Sequence, residues 1–434
     1  MLADNQPITV ICGGQYESGR HCGYCSSETG AAMFCCYAAS LTVDHYERLM
    51  DRGFRRSGGL LYKPDLLRSC CPQYAIRLNA RRFRPSKEQR QTVNRFNRFV
   101  MGETFERALR ERTAAAAGKD AAKGAAKGAA KGAATSAAGA APKTPVFDLA
   151  AAVHAAEYST LQAHGLGVEP AHRLRVELVR PDFTDEKFEL YKHYQATCHA
   201  DEATASGFTS FLCASPFETR HASCGRRIGL WHQVYYLDDE LVAMSVLDFL
   251  PNTVSGVYFM WRQEYAAHSL GKLSAVREAA LALEGGYEYY FMGLFIYNCP
   301  KMRYKASFKP SELLDPQLGE FFDYDRFAPV LETRPYVTFA SAPLERPPED
   351  ALEADSADVF ANGFAGILTR TQAEAVGLAQ LKLLAHGVVF DAKDLARVAP
   401  DEPLDGARDA LLALVAVLGA DLAAECVFYL ESLL

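Results

Sequence analysis

Between residues 233 and 296 the hydrophobic pattern changes period twice. Residues 233–237, 241–249 and 254–261 are runs rich in Val, Tyr and Phe, separated by Asp238-Asp239 and Pro251-Asn252. Such runs between turn-forming residues predict three successive antiparallel strands. Residues 269–284 switch to the spacing of an amphipathic helix, which Gly285-Gly286 ends, and 287–296 return to strand. Upstream, 147–165 and 185–199 carry helical spacing, while 173–179 alternates as a strand does. The pattern disappears over 114–145, a stretch built almost wholly from Ala, Gly and Lys. Side chains this small cannot offset the entropy of ordering them, so a linker or fluctuating helix is predicted there. The most apolar run, 410–420, lies between Asp409 and Asp421. A bilayer span needs about 20 apolar residues, so this one predicts a buried helix instead.

The pattern divides the chain into four parts. A Cys-rich domain with a basic segment covers 1–113, and the linker covers 114–145. A mixed α/β (α+β) domain covers 146–344, and an acidic helical module covers 345–434. At 434 residues the chain is too long for one ordinary core. Its net charge of −7 argues against a nucleic-acid partner until the distribution is examined. Residues 52–112 hold 16 Lys or Arg against 5 acids, whereas 345–434 hold 6 against 16. One surface is therefore strongly positive, suited to phosphate, unless the basic stretch is only a solvated helix face. The first six residues include Asp4 and no long apolar run follows, so no secretion signal is read and cytosol or nucleus is expected.

Twelve cysteines in such a setting suggest reduced thiols, some of them on a metal. Cys22-Gly23-Tyr24-Cys25 is a CxxC, and Cys70-Cys71-Pro72 supplies a second pair. Two intervening residues let both thiolates reach one ion. Adjacent cysteines are rarer at structural zinc and better tolerated at an iron–sulfur cluster. Core or redox cysteines remain the alternative. Cys35 and Cys36, inside a run of small apolar residues, read as core.

At this point two sets of motifs resemble one family. His21-Cys22-Gly23-Tyr24-Cys25, Arg56-Ser57-Gly58, Tyr62-Lys63-Pro64 and Cys70-Cys71-Pro72-Gln73-Tyr74 resemble the N-terminal domain of arginyl-tRNA–protein transferases. Phe188-Glu189-Leu190-Tyr191-Lys192, His232-Gln233, Val246-Leu247-Asp248, 270–278 and 299–305 resemble its catalytic domain, in the family's order. Together the two sets span roughly 15–110 and 170–320. After the third strand the chain departs from the family's usual Tyr-Asp-Pro type turn, with Trp261-Arg262-Gln263-Glu264. The resemblance implies a GNAT-like acyltransferase domain that uses arginyl-tRNA in place of acetyl-CoA. It implies acceptor proteins beginning with Asp, Glu or oxidised Cys, degradation by the N-degron route, and ubiquitin ligases as downstream partners. It also implies zinc or an iron–sulfur cluster on Cys22, Cys25, Cys70 and Cys71.

Aminolysis of an already activated ester needs no enzyme nucleophile, only positioning, loss of an amine proton and a donor for the oxyanion. Asp248, at a strand end, is the leading candidate to take that proton, with capping of the next turn as its alternative. His232 is a second candidate, although a histidine beside Trp231 also reads as a packed core residue. Gly271 and Lys272, opening the 269–284 helix, suit the tRNA 3′-end phosphates. Lys301, Arg303 and Lys305, with Tyr304 among them, would share one face of an extended segment and hold either tRNA phosphate or an acidic acceptor. Arg55, Arg56, Lys63, Arg68 and Arg77 bracket the second cysteine pair and are candidates for the same ligands. Glu264 or Glu278 would face the arginine being transferred, but Glu278 also fits a helix-surface ion pair. Phe83, Phe96 and Phe99, interleaved with arginines, suit either base stacking or the buried side of a helix. Three rivals stand beside this reading: an acyl-CoA enzyme, which would want more glycine than Gly271, a non-catalytic metal- and RNA-binding adaptor, and a leucyl-transferring relative.

Overall fold

The computed structural model describes residues 8–128, 147–353, 356–398 and 404–433. The chain opens with β1 (Val10–Arg20), β2 (Ala31–Ser40), β3 (Arg55–Ser57) and β4 (Leu60–Pro64), then crosses into a second sheet with β5 (Tyr74–Asn79). That sheet continues through β6 (Leu174–Val179), β7 (Arg220–His221), β8 (Arg227–Leu237), β9 (Glu240–Phe249) and β10 (Thr253–Trp261). It closes with β11 (Tyr289–Phe295), β12 (Ser311–Leu314) and β13 (Phe321–Asp323). The chain finally returns to the first sheet as β14 (Lys382–Ala385), β15 (Val388–Asp391) and β16 (Val427–Tyr429). The large sheet runs β13-β12-β5-β11-β10-β9-β8-β6, and the other runs β15-β14-β16-β1-β2-β4-β3.

The strands β8, β9 and β10 are antiparallel, as the hydrophobic pattern predicts. Asp238 and Asp239 both sit at positive φ, which a tight hairpin turn requires and Asp tolerates. Helix Leu270–Glu284 follows, and β11 then lies parallel to β10. One face of the large sheet packs on this helix through Leu273, Val276 and Ala279, together with Val93, Phe96 and Val100 of the helix Lys87–Gly128. The other face meets Tyr46, Phe54, Leu61, Leu190 and Phe208. Buried on both sides, the sheet takes apolar residues at most positions of β8 and β9.

One sequence expectation changes. Residues 114–128 are helical, one of the two forms expected there, at the end of Lys87–Gly128, which is kinked at Gly102, whereas 129–145 of the predicted linker lie outside the described residues. The acidic C-terminal segment is not an appended helical module. Its strand β16 pairs with β1 in parallel, and β14 and β15 extend that sheet. Strands of three or four residues carry too few alternations to stand out from helix in sequence. The run 410–420 does become a buried helix, with Leu411, Leu412, Leu414 and Val415 at 0 % exposure. Across the junction, Arg48 and Arg52 hold Asp421 and Glu425 at 2.7–3.0 Å, so the segregated charges meet within the molecule.

Candidate active site

The parallel pairing of β10 with β11 covers Thr253–Tyr289, Val254–Tyr290 and Ser255–Phe291, and then stops. Both strands are irregular just beyond that point. The β9–β10 register shifts between Gly256 and Tyr258, and the β11–β5 register shifts between Phe291 and Leu294. Parting strands leave backbone groups without sheet partners, and polar side chains gather there. Arg55 donates from Nη2 to Gly256 O at 3.1 Å and to Ser255 Oγ at 3.2 Å, with its guanidinium over the Phe291 ring. Its Nη1 is buried and has no hydrogen-bond partner among the described residues. Lys305 Nζ donates to Leu294 O at 2.7 Å. A Cβ added to Gly293 would lie 3.7 Å from Arg55 Nη2 and 3.8 Å from Lys305 Nζ, so both cations converge on that glycine.

Glu278 reaches the same gap from the helix side. Ser245 Oγ donates to its Oε1 at 2.7 Å and Tyr290 OH to its Oε2 at 2.5 Å. Burial pushes its carboxyl up to about 7, against the two hydrogen bonds and the nearby Lys305, which favour the ionised form. Burial, and then Arg55, pull the Lys305 ammonium down to about 7. A carboxyl and an amine that both titrate near neutrality, in one gap, form an acid–base set suited to proton transfer. Beside the gap, Tyr258 OH lies 3.3 Å from both Gln195 Oε1 and His199 Nε2, and Tyr194 packs on Tyr258 and Trp261.

The sequence candidates divide sharply against this geometry. Asp248 is fully buried and held by Arg56 through bonds of 2.5 and 2.8 Å. Both its oxygens are taken by the guanidinium, so Asp248 and Arg56 form an ion pair between β9 and β3. His232 is also fully buried, its Nε2 is 2.9 Å from Leu212 O, and burial pulls its imidazole down to about 4. This is the packed-histidine alternative. Arg77 pairs with Glu312 and Asp51 and lies between the Tyr289 and Phe321 rings. Arg68 ties Asn362 O, and Lys63 bonds Gly366 O. Of the five N-terminal cations, Arg55 alone enters the gap. Lys272 pairs with Glu88 at 2.7 Å, and Gly271 lies on the same first turn of helix. Residues Arg303–Ser307 form a 3₁₀ turn rather than an extended segment. Lys301 and Arg303 therefore face outward while Lys305 turns in with Tyr304. Phe83 and Phe96 are buried, and Phe99 packs on His268, so these aromatics form the covered side of the helix. Glu264 stays at the surface near His193.

Glu278 is buried rather than in the helix-surface ion pair that the sequence allows. The helix Leu270–Glu284 has Ser274, Arg277 and Glu278 all buried, an unusual burden for one helix. Arg277 is neutralised by Glu157, but Glu278 faces the gap. The amphipathic spacing read from the sequence places these polar residues on a solvent face, and the structure buries them instead.

The cysteine motifs do come together. Cys22, Cys25, Cys70 and Cys71 have thiol sulfurs all within 4.8 Å of one another, with Cys25 and Cys70 at 3.3 Å. Four thiolates about a tetrahedral ion stand roughly 3.8 Å apart, so this set fits a metal. The knuckle is closed by Ser26 N–H to Cys22 O and Cys22 N–H to Ser27 O, with Ser26 at positive φ. Cys35 and Cys36 are buried in the core, as their apolar setting predicts. Tyr24 lies within electrostatic range of Cys22, Cys71, Tyr62 and Cys299, which places the cluster beside the loop that leaves β11. Gly30 donates no side chain but decides the geometry. A Cβ there would collide with Cys70 Sγ and the Ser27 side chain. Gly30→Ala is expected to lower the metal-to-protein ratio, measured by elemental analysis, below that of the unsubstituted chain. Full occupancy in the variant would contradict this account of the cluster.

A buried carboxyl and two cations gather where the parallel strands part, in a molecule that also brings together four thiols able to hold a metal ion. Comparison with known proteins is more specific. "Arginine-tRNA-protein transferase, N terminus" matches residues 20–91, and "Arginine-tRNA-protein transferase, C terminus" matches 186–315. The chain is similar to this family in both of these regions and is an aminoacyltransferase. It is 28 % identical to Arginyl-tRNA–protein transferase 1 of Arabidopsis thaliana, over 73 % of each chain. With the Drosophila melanogaster enzyme of that name it shares 29 %, over 69 % of this chain and 79 % of the other. An aspartate/glutamate leucyltransferase of Pseudomonas putida (strain GB-1) is 26 % identical over 68 % of this chain and 89 % of its own. Among solved structures, L-PGS from Bacillus licheniformis matches 57 % of this chain and 49 % of its own at 10 % identity. Its TM-score of 0.27 carries no argument.

Proposed function

We propose that this chain moves arginine from the 3′ ester of arginyl-tRNA to the α-amine of proteins beginning with Asp, Glu or oxidised Cys. The observation that carries this reading is the convergence of Arg55, Lys305 and Glu278 where β10 and β11 part. The amine nitrogen attacks the ester carbonyl, whose π electrons move onto oxygen. Arg55 Nη1, buried and unpartnered, is the donor for that oxyanion. Glu278 receives the proton released by the amine. The carbon–oxygen bond then breaks, the tRNA 3′ oxygen leaves and takes a proton, and an amide remains. No step needs a covalent enzyme intermediate.

Three antiparallel strands followed by a parallel strand that parts from the third is the layout of GNAT-type acyltransferases, and we read this domain as one of them. Arg81, Arg82, Arg84, Lys87, Arg95 and Arg98 are exposed along the helix Lys87–Gly128 and the turn before it, a face suited to tRNA phosphate. Zinc or an iron–sulfur cluster on the four cysteines would hold the N-terminal loops in place beside the gap. No helix among the described residues is long and apolar enough to cross a membrane. Cytosol or nucleus, with ubiquitin ligases acting on the arginylated product, completes the reading.

Names of relatives leave two donors to compare, arginine and leucine. Purified, metal-replete protein would be mixed with labelled arginyl-tRNA or leucyl-tRNA and peptides starting with Asp, Glu or Gly. Arginine is expected to move to the Asp and Glu peptides and not to the Gly peptide. Transfer of leucine alone would reassign the donor, and tRNA binding without any transfer would favour the adaptor reading.

A further inference from the structure

On the far side of β4 from Arg55 lies a cavity of about 640 Å³ that the transfer reaction does not use. Neighbouring strand residues point to opposite faces, so Tyr62 faces Arg55 whereas Lys63 turns into this cavity. Its walls come from β4, the turn 315–319, and two stretches of the C-terminal segment around Phe364–Leu368 and Ala416–Asp421. A volume in this range accommodates a small organic molecule.

The charge inside is unbalanced. Lys63 is 7 % exposed, and its Nζ has one hydrogen bond, to Gly366 O at 3.2 Å, for its three donors. The Phe364 ring lies 5.5 Å away. Among the described residues no carboxylate forms an ion pair with it. The two acids of the lining are already satisfied. Asp315 accepts from Gln317 N–H, Leu318 N–H, Thr338 Oγ1 and Phe339 N–H. Asp421 is held by Arg48 and Arg52. Gly366, at positive φ, brings its backbone against Pro316 O, a place a side chain would not fit. Leu66, Leu314, Phe364, Ile367, Leu368 and Val417 make the apolar part of the wall, and Arg52, Gln73, Gln317 and Gln372 add polar groups to it.

A buried ammonium with an incomplete set of acceptors, in a chamber whose wall is partly apolar, matches a ligand with one anionic head and a hydrocarbon body. We propose that this cavity binds a small organic monocarboxylate, its head on Lys63 and its body against Phe364, Ile367 and Val417. Because separate stretches of the N-terminal sheet and the C-terminal segment form the walls, such a ligand would hold the two together.

The test is isothermal titration of the full, metal-replete chain with hexanoate, hexanol and inorganic phosphate. Hexanoate is expected to bind at one per chain, and hexanol and phosphate to bind at least tenfold more weakly. Lys63→Met is expected to weaken hexanoate at least tenfold. Ile367→Trp, which fills the chamber and leaves Lys63 in place, is expected to do the same and guards against misfolding of the first variant. Equal binding of hexanol would overturn the role of the ammonium, and equal binding of phosphate would overturn the apolar half. Absence of hexanoate binding in the millimolar range would overturn the site. Competition between hexanoate and an Asp-starting peptide would reassign Lys63 to the acceptor and likewise overturn the proposal.

Discussion

Glu278→Gln is expected to slow arginine transfer by about 10²- to 10⁴-fold, the usual contribution of a positioned proton acceptor. The amide keeps the shape of the carboxylate and a carbonyl oxygen that can accept from Ser245 or Tyr290. The loss should therefore appear in single-turnover rate, with arginyl-tRNA binding and thermal unfolding little changed. The pH dependence follows from the same two groups. Glu278 acts when ionised, so the rate rises as pH climbs through about 7. Lys305 stabilises developing negative charge while protonated, so its contribution falls as pH passes about 7 from below. The profile of the unsubstituted enzyme is then a narrow bell centred near neutrality, reporting the proton losses of the pair. Glu278→Gln should lose the rising limb and keep the falling one. An unchanged rising limb in the variant would assign the proton acceptor elsewhere.

The second large effect concerns stability. Arg56 and Asp248 are 1 % and 0 % exposed in their side chains and joined by two hydrogen bonds. Arg56→Met leaves a carboxylate in the core with no opposing charge, which costs about 3–5 kcal/mol. Urea unfolding should show that loss, and adding Asp248→Leu should restore much of it, since a buried pair exchanged for apolar residues is often nearly neutral. If the single variant unfolds at the same urea concentration as the unsubstituted chain, the pair is not what fixes β3 against β9. Arg55 precedes Arg56 on the same three-residue strand. The structural pair thus positions the strand that delivers Arg55 to the gap. On this account Asp248 would act on transfer only through the placement of Arg55, which differs from the base that its place at a strand end suggests.

Much of the fold was legible in the sequence because the signals were local. The strands from 227 to 261, the helix Leu270–Glu284 and β11 each carry their own period and their own turn residues. The four-cysteine set was legible through the CxxC spacing together with the family resemblance, and the four thiols do meet. What escaped depends on distant contacts. The strands β14 to β16 are too short to announce themselves and exist because β1 offers an edge. Lys305 looked like one of three equivalent cations until a 3₁₀ turn separated it from Lys301 and Arg303. Glu278 and Asp248 exchanged roles for a similar reason. One carboxylate meets an arginine from residue 56, the other meets only hydroxyls and a lysine, and neither partner is near in sequence.

The most direct test of the central claim is mass spectrometry of an Asp-starting peptide after incubation with the metal-replete chain and arginyl-tRNA. The account predicts a product heavier by one arginine residue, with fragment ions placing it in amide linkage at the α-amine, formed one-for-one with uncharged tRNA. Unmodified peptide, whether the tRNA ester survives or is hydrolysed to free arginine, would contradict it.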